Sequence, residues 1–330
     1  MTQLLTPTTM IRESDLVETL MLVTVLDRVE AADGVVLISV GRADGSELPE
    51  WQPGAHIDLR LRDDLVRQYS LCGDPEDRSR YTVGVLLEPE SRGGSKHVHE
   101  SLHVGETLRI SRPRNHFELV DADSYIFIAG GIGITPIASM IRAAERAGKP
   151  WQLAYGGRSR QSMAFLDELS PHAERVQVLA KDESARINLP ELLAAPAEGT
   201  AIYVCGPDRL LDETESICEA SWPSGALHLE RFTAKVIDNS ADTAFEIELV
   251  QTGKRVTVAA DRTVLETLAD EGIHVLSSCG EGTCGTCETP VLEGEVDHRD
   301  SVLTKEEQDE QDCMMVCVSR AKCALLKLDV

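Results

Sequence analysis

Nine cysteines stand in this chain of 330 residues, and six of them fall within the last 52. Cys279, Cys284 and Cys287 follow one another as C-x4-C-x2-C in the run CGEGTCGTC, and Cys317 comes much later, in MMVCVSRA. Thiolates at this spacing hold a plant-type 2Fe-2S cluster. Gly280, Gly282 and Gly285 let the backbone turn tightly between the ligands and aim its amides at the sulfurs. Four thiolates around two irons make a one-electron carrier. Zinc is the alternative, but four-cysteine zinc sites usually split into two C-x2-C knuckles. Cys313 is a rival for the fourth position. Cys317 is preferred because its apolar segment suits a strand, whereas Cys313 follows the acidic run EEQDEQD. Cys72, Cys218 and Cys323 have no spaced partners and read as small buried side chains.

Two glycine segments could hold phosphate. Gly130-Gly131-Ile132-Gly133-Ile134-Thr135-Pro136 joins the apolar run YIFIA to the helical stretch IASMIRAA. A strand, a glycine loop and a helix start in that order put backbone amides where a pyrophosphate can meet them. Earlier, Arg92-Gly93-Gly94-Ser95-Lys96 precedes the helical stretch HVHESL, again exposing amides at a positive helix end. Arg158 and Arg160 follow the strand WQLAYGG, where an adenosine ribose would be read, and two guanidinium groups there suit a 2′-phosphate.

These residues need three kinds of scaffold, and the pattern supplies them in order. From about Leu20 to Leu119, alternating runs such as HIDLRLRD and RYTVGVLLE, divided by Gly, Pro and Asp, predict a small antiparallel β-barrel. From about Ser124 to Phe232, strands alternate with helical stretches, including SMAFLDELSPHA and NLPELLAA, which predicts a doubly wound α/β sheet. Residues 235–244 read as a linker. Beyond it, FEIELVQTGKRVTVAA predicts a hairpin and TVLETLADEGI an amphipathic helix, ahead of the cysteines. The expected domains are therefore 15–120, 121–234 and 245–330.

Composition narrows the function. Net charge is −24, which repels nucleic acid and anionic membranes. The first twenty residues carry an Arg, two Glu and an Asp where an export signal would need an apolar core. The longest apolar stretch, Tyr125 to Ile141, is divided by glycines and a proline, so no membrane span is expected. A cytoplasmic protein fits thiols grouped for metal rather than for disulfides.

With three motifs in this order, the chain resembles the phthalate dioxygenase reductase family over nearly its whole length. The resemblance implies a multi-domain fold: an antiparallel β-barrel for FMN, a ferredoxin reductase-like α/β nicotinamide domain, and a C-terminal α+β β-grasp ferredoxin domain. It implies that Arg67-Gln68-Tyr69-Ser70 is the flavin motif, with Tyr69 along the ring, Ser70 near N5 and Arg67 toward the phosphate. Gly94, Ser95 and Lys96 would grip that phosphate; FAD is the alternative, although no extra segment for an adenosine half is evident. The GGxGxTP loop would bind the dinucleotide through Gly130, Gly131, Gly133, Thr135 and Pro136. Cys205-Gly206-Pro207 would border the reacting nicotinamide carbon, and Phe232 would cover the flavin until nicotinamide displaces it.

The implied function is a reductase component passing electrons from NADH, or NADPH, through FMN to the cluster on Cys279, Cys284, Cys287 and Cys317, and on to a terminal oxygenase. A Rieske-type oxygenase is the first choice of partner and a cytochrome P450 the second. The reductase is expected as a monomer. Residues 241–330 hold 19 Asp and Glu against 8 Lys and Arg, a charge suited to steering toward a basic acceptor. A different class, a non-catalytic iron-sulfur redox sensor, and a stand-alone flavin reductase remain alternatives.

Overall fold

The computed structural model describes residues 20–89, 93–183, 186–235 and 237–330. Residues 15–19 of the first expected domain, Arg92 of the earlier glycine segment and Val236 of the expected linker lie outside them. The chain divides into two compact units. One runs from Leu20 to Phe232, and the other contains Thr233–Val330.

The first half of the Leu20–Phe232 unit is an antiparallel barrel of β1 (Met21–Ala32), β2 (Val35–Gly41), β3 (His56–Arg62), β4 (Leu65–Ser70), β5 (Tyr81–Leu86) and β6 (Thr107–Ile110), with helix α1 (Gly94–Ser101) before the last strand. The strand order is β4-β3-β6-β1-β2-β5, and a bridge between Leu71 and Val83 joins the two edges. Val36, Ile38, Ile57, Leu59, Tyr81 and Ile110 fill its interior with essentially no exposed surface. The alternating runs supply this inward face, as period-two patterning requires.

The second half is a parallel sheet of β7 (Ser124–Gly130), β8 (Trp151–Gly157), β9 (Val176–Ala180), β10 (Thr200–Cys205) and β11 (Leu227–Glu230), in the order β11-β10-β7-β8-β9. Helix α2 (Ile134–Arg146) follows β7. The apolar stretch 125–141 is thus a strand, a tight turn and a helix start. No helix among the described residues is long and apolar enough to cross a membrane. Two of the expected helices shrink to single turns, α3 (Leu166–Leu169) and α4 (Leu189–Leu192). Phe165, with a left-handed φ of 66°, blocks the first from starting earlier, and Pro171 supplies no amide to extend it. Helix α5 (Asp208–Ser221) is full length. The chain leaves β7 toward β8 and β9, then returns to β10 on its other side. Strand order therefore reverses between β7 and β10, where open α/β sheets bind ligands.

The second unit has a mixed sheet, ordered β13-β12-β18-β14-β16, of β12 (Phe245–Leu249), β13 (Lys254–Val258), β14 (Glu288–Glu293), β16 (Cys313–Met315) and β18 (Leu325–Leu328), and a small pair, β15 (Val296–Asp297) with β17 (Arg320–Ala321). Helix α6 (Val264–Asp270) packs on this sheet and α7 (Lys305–Glu310) lies on the surface. A capping box starts α6: the Thr263 hydroxyl accepts from Glu266 N at 3.1 Å and Glu266 accepts from Thr263 N at 3.0 Å. The segment 235–244 is tied to this unit. Lys235 Nζ donates to Asp300 O at 2.7 Å, and Asp242 accepts from Arg299 at 2.6 and 2.9 Å.

Candidate active site and cluster loop

At the reversal point two loops touch backbone to backbone. A Cβ on Gly133 would stand 2.2 Å from the Cys205 carbonyl oxygen, and one on Gly206 would stand 2.9 Å from the Gly130 backbone. Gly130 likewise lies against Pro207. Only glycine permits this approach, which brings Gly130–Gly133 and Cys205–Pro207 into one crevice. Gly131 accepts through its carbonyl from the Tyr155 hydroxyl at 3.2 Å. Thr135 is buried and donates to Ile132 O at 2.9 Å, and its methyl lies against Gly84 of the barrel. Pro136 sits in the first turn of α2, where a missing amide costs nothing. The amides of that turn end in a crevice suited to a diphosphate.

Cys205 and Glu230 are register partners at the ends of β10 and β11. Glu230 Oε2 lies 4.0 Å from Cys205 Sγ, and its carboxyl hydrogen-bonds the Ser70 hydroxyl at the end of β4. Burial pushes Glu230 up to about 8, against the smaller opposing pull of Ser70. Burial, helped by the Glu230 charge, raises the Cys205 thiol well above its ordinary value. The thiol is therefore neutral and no nucleophile. Sequence reasoning placed Ser70 and Cys205 but gave Glu230 no role, although it stands two residues before Phe232. Phe232 itself is 43% exposed. Arg231 fastens this chain end to α5 through Asp208, Asp212 and Glu215.

The two segments expected to hold the flavin also converge. A Cβ on Gly94 would come within 2.4 Å of Arg67 Cγ, so the guanidinium side chain lies across the first turn of α1. Gly93, at φ 92°, opens that helix, and the buried Ser95 hydroxyl accepts from Glu88 N at 3.1 Å. Lys96 is exposed and Gln68 half-buried opposite Asp58 in the barrel ladder. Burial pushes the Tyr69 phenol up to about 12, against the lesser pull of Arg67. A cation lying across the first turn of a helix, with an aromatic ring at hand, fits a phosphate-bearing flavin. Arg158 and Arg160 are exposed after β8, and Arg160 Nε already donates to Glu183 Oε1 at 2.7 Å.

In the other unit, Gly280, Gly282 and Gly285 all adopt positive φ, between 67° and 71°. The turns they make let the Glu281 and Thr283 amides donate to Cys279 Sγ at 3.3 and 3.4 Å. Cys279 hydrogen-bonds Cys284 and Cys317, and Cys287 hydrogen-bonds Cys317. Those bonds hold the Cys279 thiol far below the usual range and push its donors Cys284 and Cys317 up. The β14–β16 ladder pairs Glu288 with Met315, which carries Cys317 to Cys287 and leaves Cys313 opposite Pro290. Burial pushes the Cys313 thiol up to about 12, and it joins none of these sulfur contacts. Among the described residues no three His, Cys, Asp or Glu side chains converge on one ion position. Four thiols in linked pairs, with amides already aimed at sulfur, fit a two-iron cluster.

A barrel with a flavin cradle, a dinucleotide crevice and an iron-sulfur loop define a flavin-dependent iron-sulfur oxidoreductase. Residues 127–216 match the oxidoreductase NAD-binding domain, and residues 247–322 match the 2Fe-2S iron-sulfur cluster binding domain. The chain is 43% identical over 301 residues to the phenoxybenzoate dioxygenase subunit beta of Ectopseudomonas oleovorans, covering 91% of this chain and 94% of that one. The structure of phthalate dioxygenase reductase superposes with a TM-score of 0.70 at 33% identity, over 96% of this chain and 99% of that one. An intact self-sufficient cytochrome P450 monooxygenase superposes with a TM-score of 0.91 at 45% identity; it covers 98% of this chain, which spans 43% of that protein. The chain belongs to the phthalate dioxygenase reductase family. It is an NAD(P)H-dependent flavin iron-sulfur oxidoreductase, the reductase component of a multicomponent oxygenase, with FMN and a 2Fe-2S cluster as its cofactors and NADH as its electron donor.

Proposed function

We propose that this reductase serves a Rieske-type terminal oxygenase, with the roles that follow for its residues. When bound, the cofactors supply the exchange between the two-electron chemistry of NADH and the one-electron chemistry of the cluster. Gly130, Gly131, Gly133, Thr135 and Pro136 position the dinucleotide diphosphate on the first turn of α2. Cys205, Gly206 and Pro207 wall the nicotinamide end, where a neutral thiol adds no charge beside the reacting ring. Ser70 and Glu230 hold and move a proton next to the flavin ring, and Phe232 shields it when nicotinamide is absent. Arg67, Gly94, Ser95 and Lys96 hold the FMN phosphate, with Tyr69 and Gln68 along the ring. Cys279, Cys284, Cys287 and Cys317 ligate the irons. The working divisions are 15–120 for flavin, 121–234 for nicotinamide and 245–330 for the cluster, joined by 235–244.

The observation that carries the residue roles is the convergence of Ser70, Glu230 and Cys205 from three strands at one point; the choice of acceptor rests on relatives named as subunits of dioxygenases. We infer a monomer of the cytoplasm that binds neither nucleic acid nor membrane, in keeping with the acidic charge. A P450 acceptor is the second reading, favoured by the 45% identity to a P450 monooxygenase that contains such a segment. The test is NADH-dependent turnover with purified Rieske-type and P450 acceptors, at rising salt. The proposal predicts faster, salt-sensitive electron delivery to the Rieske protein; equal or faster delivery to the P450 overturns it.

A further inference from the structure

The turns that follow β8 and β9 meet in a contact that none of the roles above uses. Asp182 N donates to Arg158 O at 3.2 Å, which sets the turn Lys181–Glu183 against the turn carrying Arg158 and Arg160. Glu183 Oε1 then accepts from Arg160 Nε at 2.7 Å, with the two side chains 47% and 50% exposed. The carboxyl end of the second strand in a dinucleotide-binding sheet is where the adenosine ribose is read. There, a carboxylate accepts from a 2′-hydroxyl, whereas an arginine takes up a 2′-phosphate. Here both groups stand in one ion pair. A 2′-phosphate arriving at Arg160 would meet a guanidinium whose Nε is already taken by Glu183, and would sit beside that carboxylate's charge and that of Asp182. A 2′-hydroxyl brings no added negative charge and can donate to the Glu183 carboxylate.

We propose that Glu183 is the specificity-determining residue that favours NADH over NADPH, by occupying Arg160 and presenting its carboxylate to the ribose 2′ position. The inference rests on the nicotinamide crevice assigned above. An exposed ion pair contributes little to stability, so Glu183→Gln leaves the fold in place.

The test is calorimetric titration of the full-length holoprotein with 5′-AMP and 2′,5′-ADP, probes that carry no redox chemistry. Wild type should bind 2′,5′-ADP no more tightly than 5′-AMP. Glu183→Gln should improve 2′,5′-ADP binding by about tenfold and leave 5′-AMP within about threefold, and adding Arg160→Gln should remove the gain. The ratio of kcat/KM for NADPH to that for NADH should rise by the same factor. A wild type that prefers 2′,5′-ADP, an unchanged ratio in Glu183→Gln, or a gain that survives Arg160→Gln overturns the proposal. If wild type binds neither probe and neither dinucleotide bleaches its flavin, the crevice assignment itself fails, which separates the two conclusions.

Discussion

The Cys205 thiol and the Glu230 carboxyl stand 4.0 Å apart at the ends of two adjacent parallel strands. Parallel pairing in register puts both at the carboxyl edge of the sheet, and Ser70 from the barrel completes the contact. Burial keeps both groups protonated near neutral pH. On the roles proposed above, the place where nicotinamide and flavin would stack is thus lined by hydrogen-bonding but uncharged side chains, with one carboxyl that titrates close to neutral pH.

That poise has a stability signature. Glu230 is raised in the folded chain from 4.5 to about 8. Below the lower value both states hold the proton and nothing is lost. As pH climbs toward 8 the unfolded chain ionises first, so the folded state is progressively disfavoured, and the cost levels off above 8. Glu230→Gln removes this titration. Its stability relative to wild type should grow between about pH 5 and pH 8, by on the order of 2–3 kcal/mol once partial exposure is discounted. Thermal release of flavin fluorescence at the two pH values measures it.

Gly133→Ala should strike dinucleotide binding alone. The new methyl would meet the Cys205 carbonyl oxygen at 2.2 Å, and backbone cannot yield as a side-chain tip can. We expect kcat/KM for NADH to fall by roughly 10- to 100-fold, with FMN content unchanged. Steady-state ferricyanide reduction, with flavin counted by absorbance, checks both halves.

Cys284→Ser should divide the electron path. Flavin reduction by NADH belongs to the Leu20–Phe232 unit and should persist within about twofold of wild type. Cytochrome c reduction and the visible absorption of the cluster should disappear. Cys313→Ser, by contrast, should keep both, because that thiol stands opposite Pro290, apart from the other four.

Asp242 anchors the segment 235–244. Its carboxylate, 7% exposed, takes two hydrogen bonds from Arg299 and lies 3.5 Å from Arg320. Arg299→Ala leaves a buried charge with only the weaker partner. We expect a loss of about 2–4 kcal/mol from the C-terminal unit, read as a lower midpoint for thermal loss of cluster absorbance.

Much of this was legible in sequence because it is local. Cysteine spacing, the GGxGxTP loop and the Thr263–Glu266 capping box each lie within a few residues. Glu230 was not legible as a functional group, since its partners Ser70 and Cys205 arrive from other strands and only topology unites them. Arg160 could be read as a phosphate clamp, but its pairing with Glu183 depends on how two loops meet. The helices expected over SMAFLDELSPHA and NLPELLAA form only single turns; the first is bounded by the left-handed Phe165 and by Pro171. The residues 235–244 look polar and linker-like, yet Lys235 and Asp242 bind buried partners that composition cannot reveal.

The most direct test is an anaerobic titration with NADH, following flavin and cluster absorption together with low-temperature EPR. The account predicts that flavin bleaching is accompanied by a rhombic signal from a reduced 2Fe-2S centre, and that Cys284→Ser loses the signal while keeping the bleaching. Flavin bleaching in wild type with no cluster signal would contradict it, and would leave the chain a flavin reductase with an idle C-terminal unit.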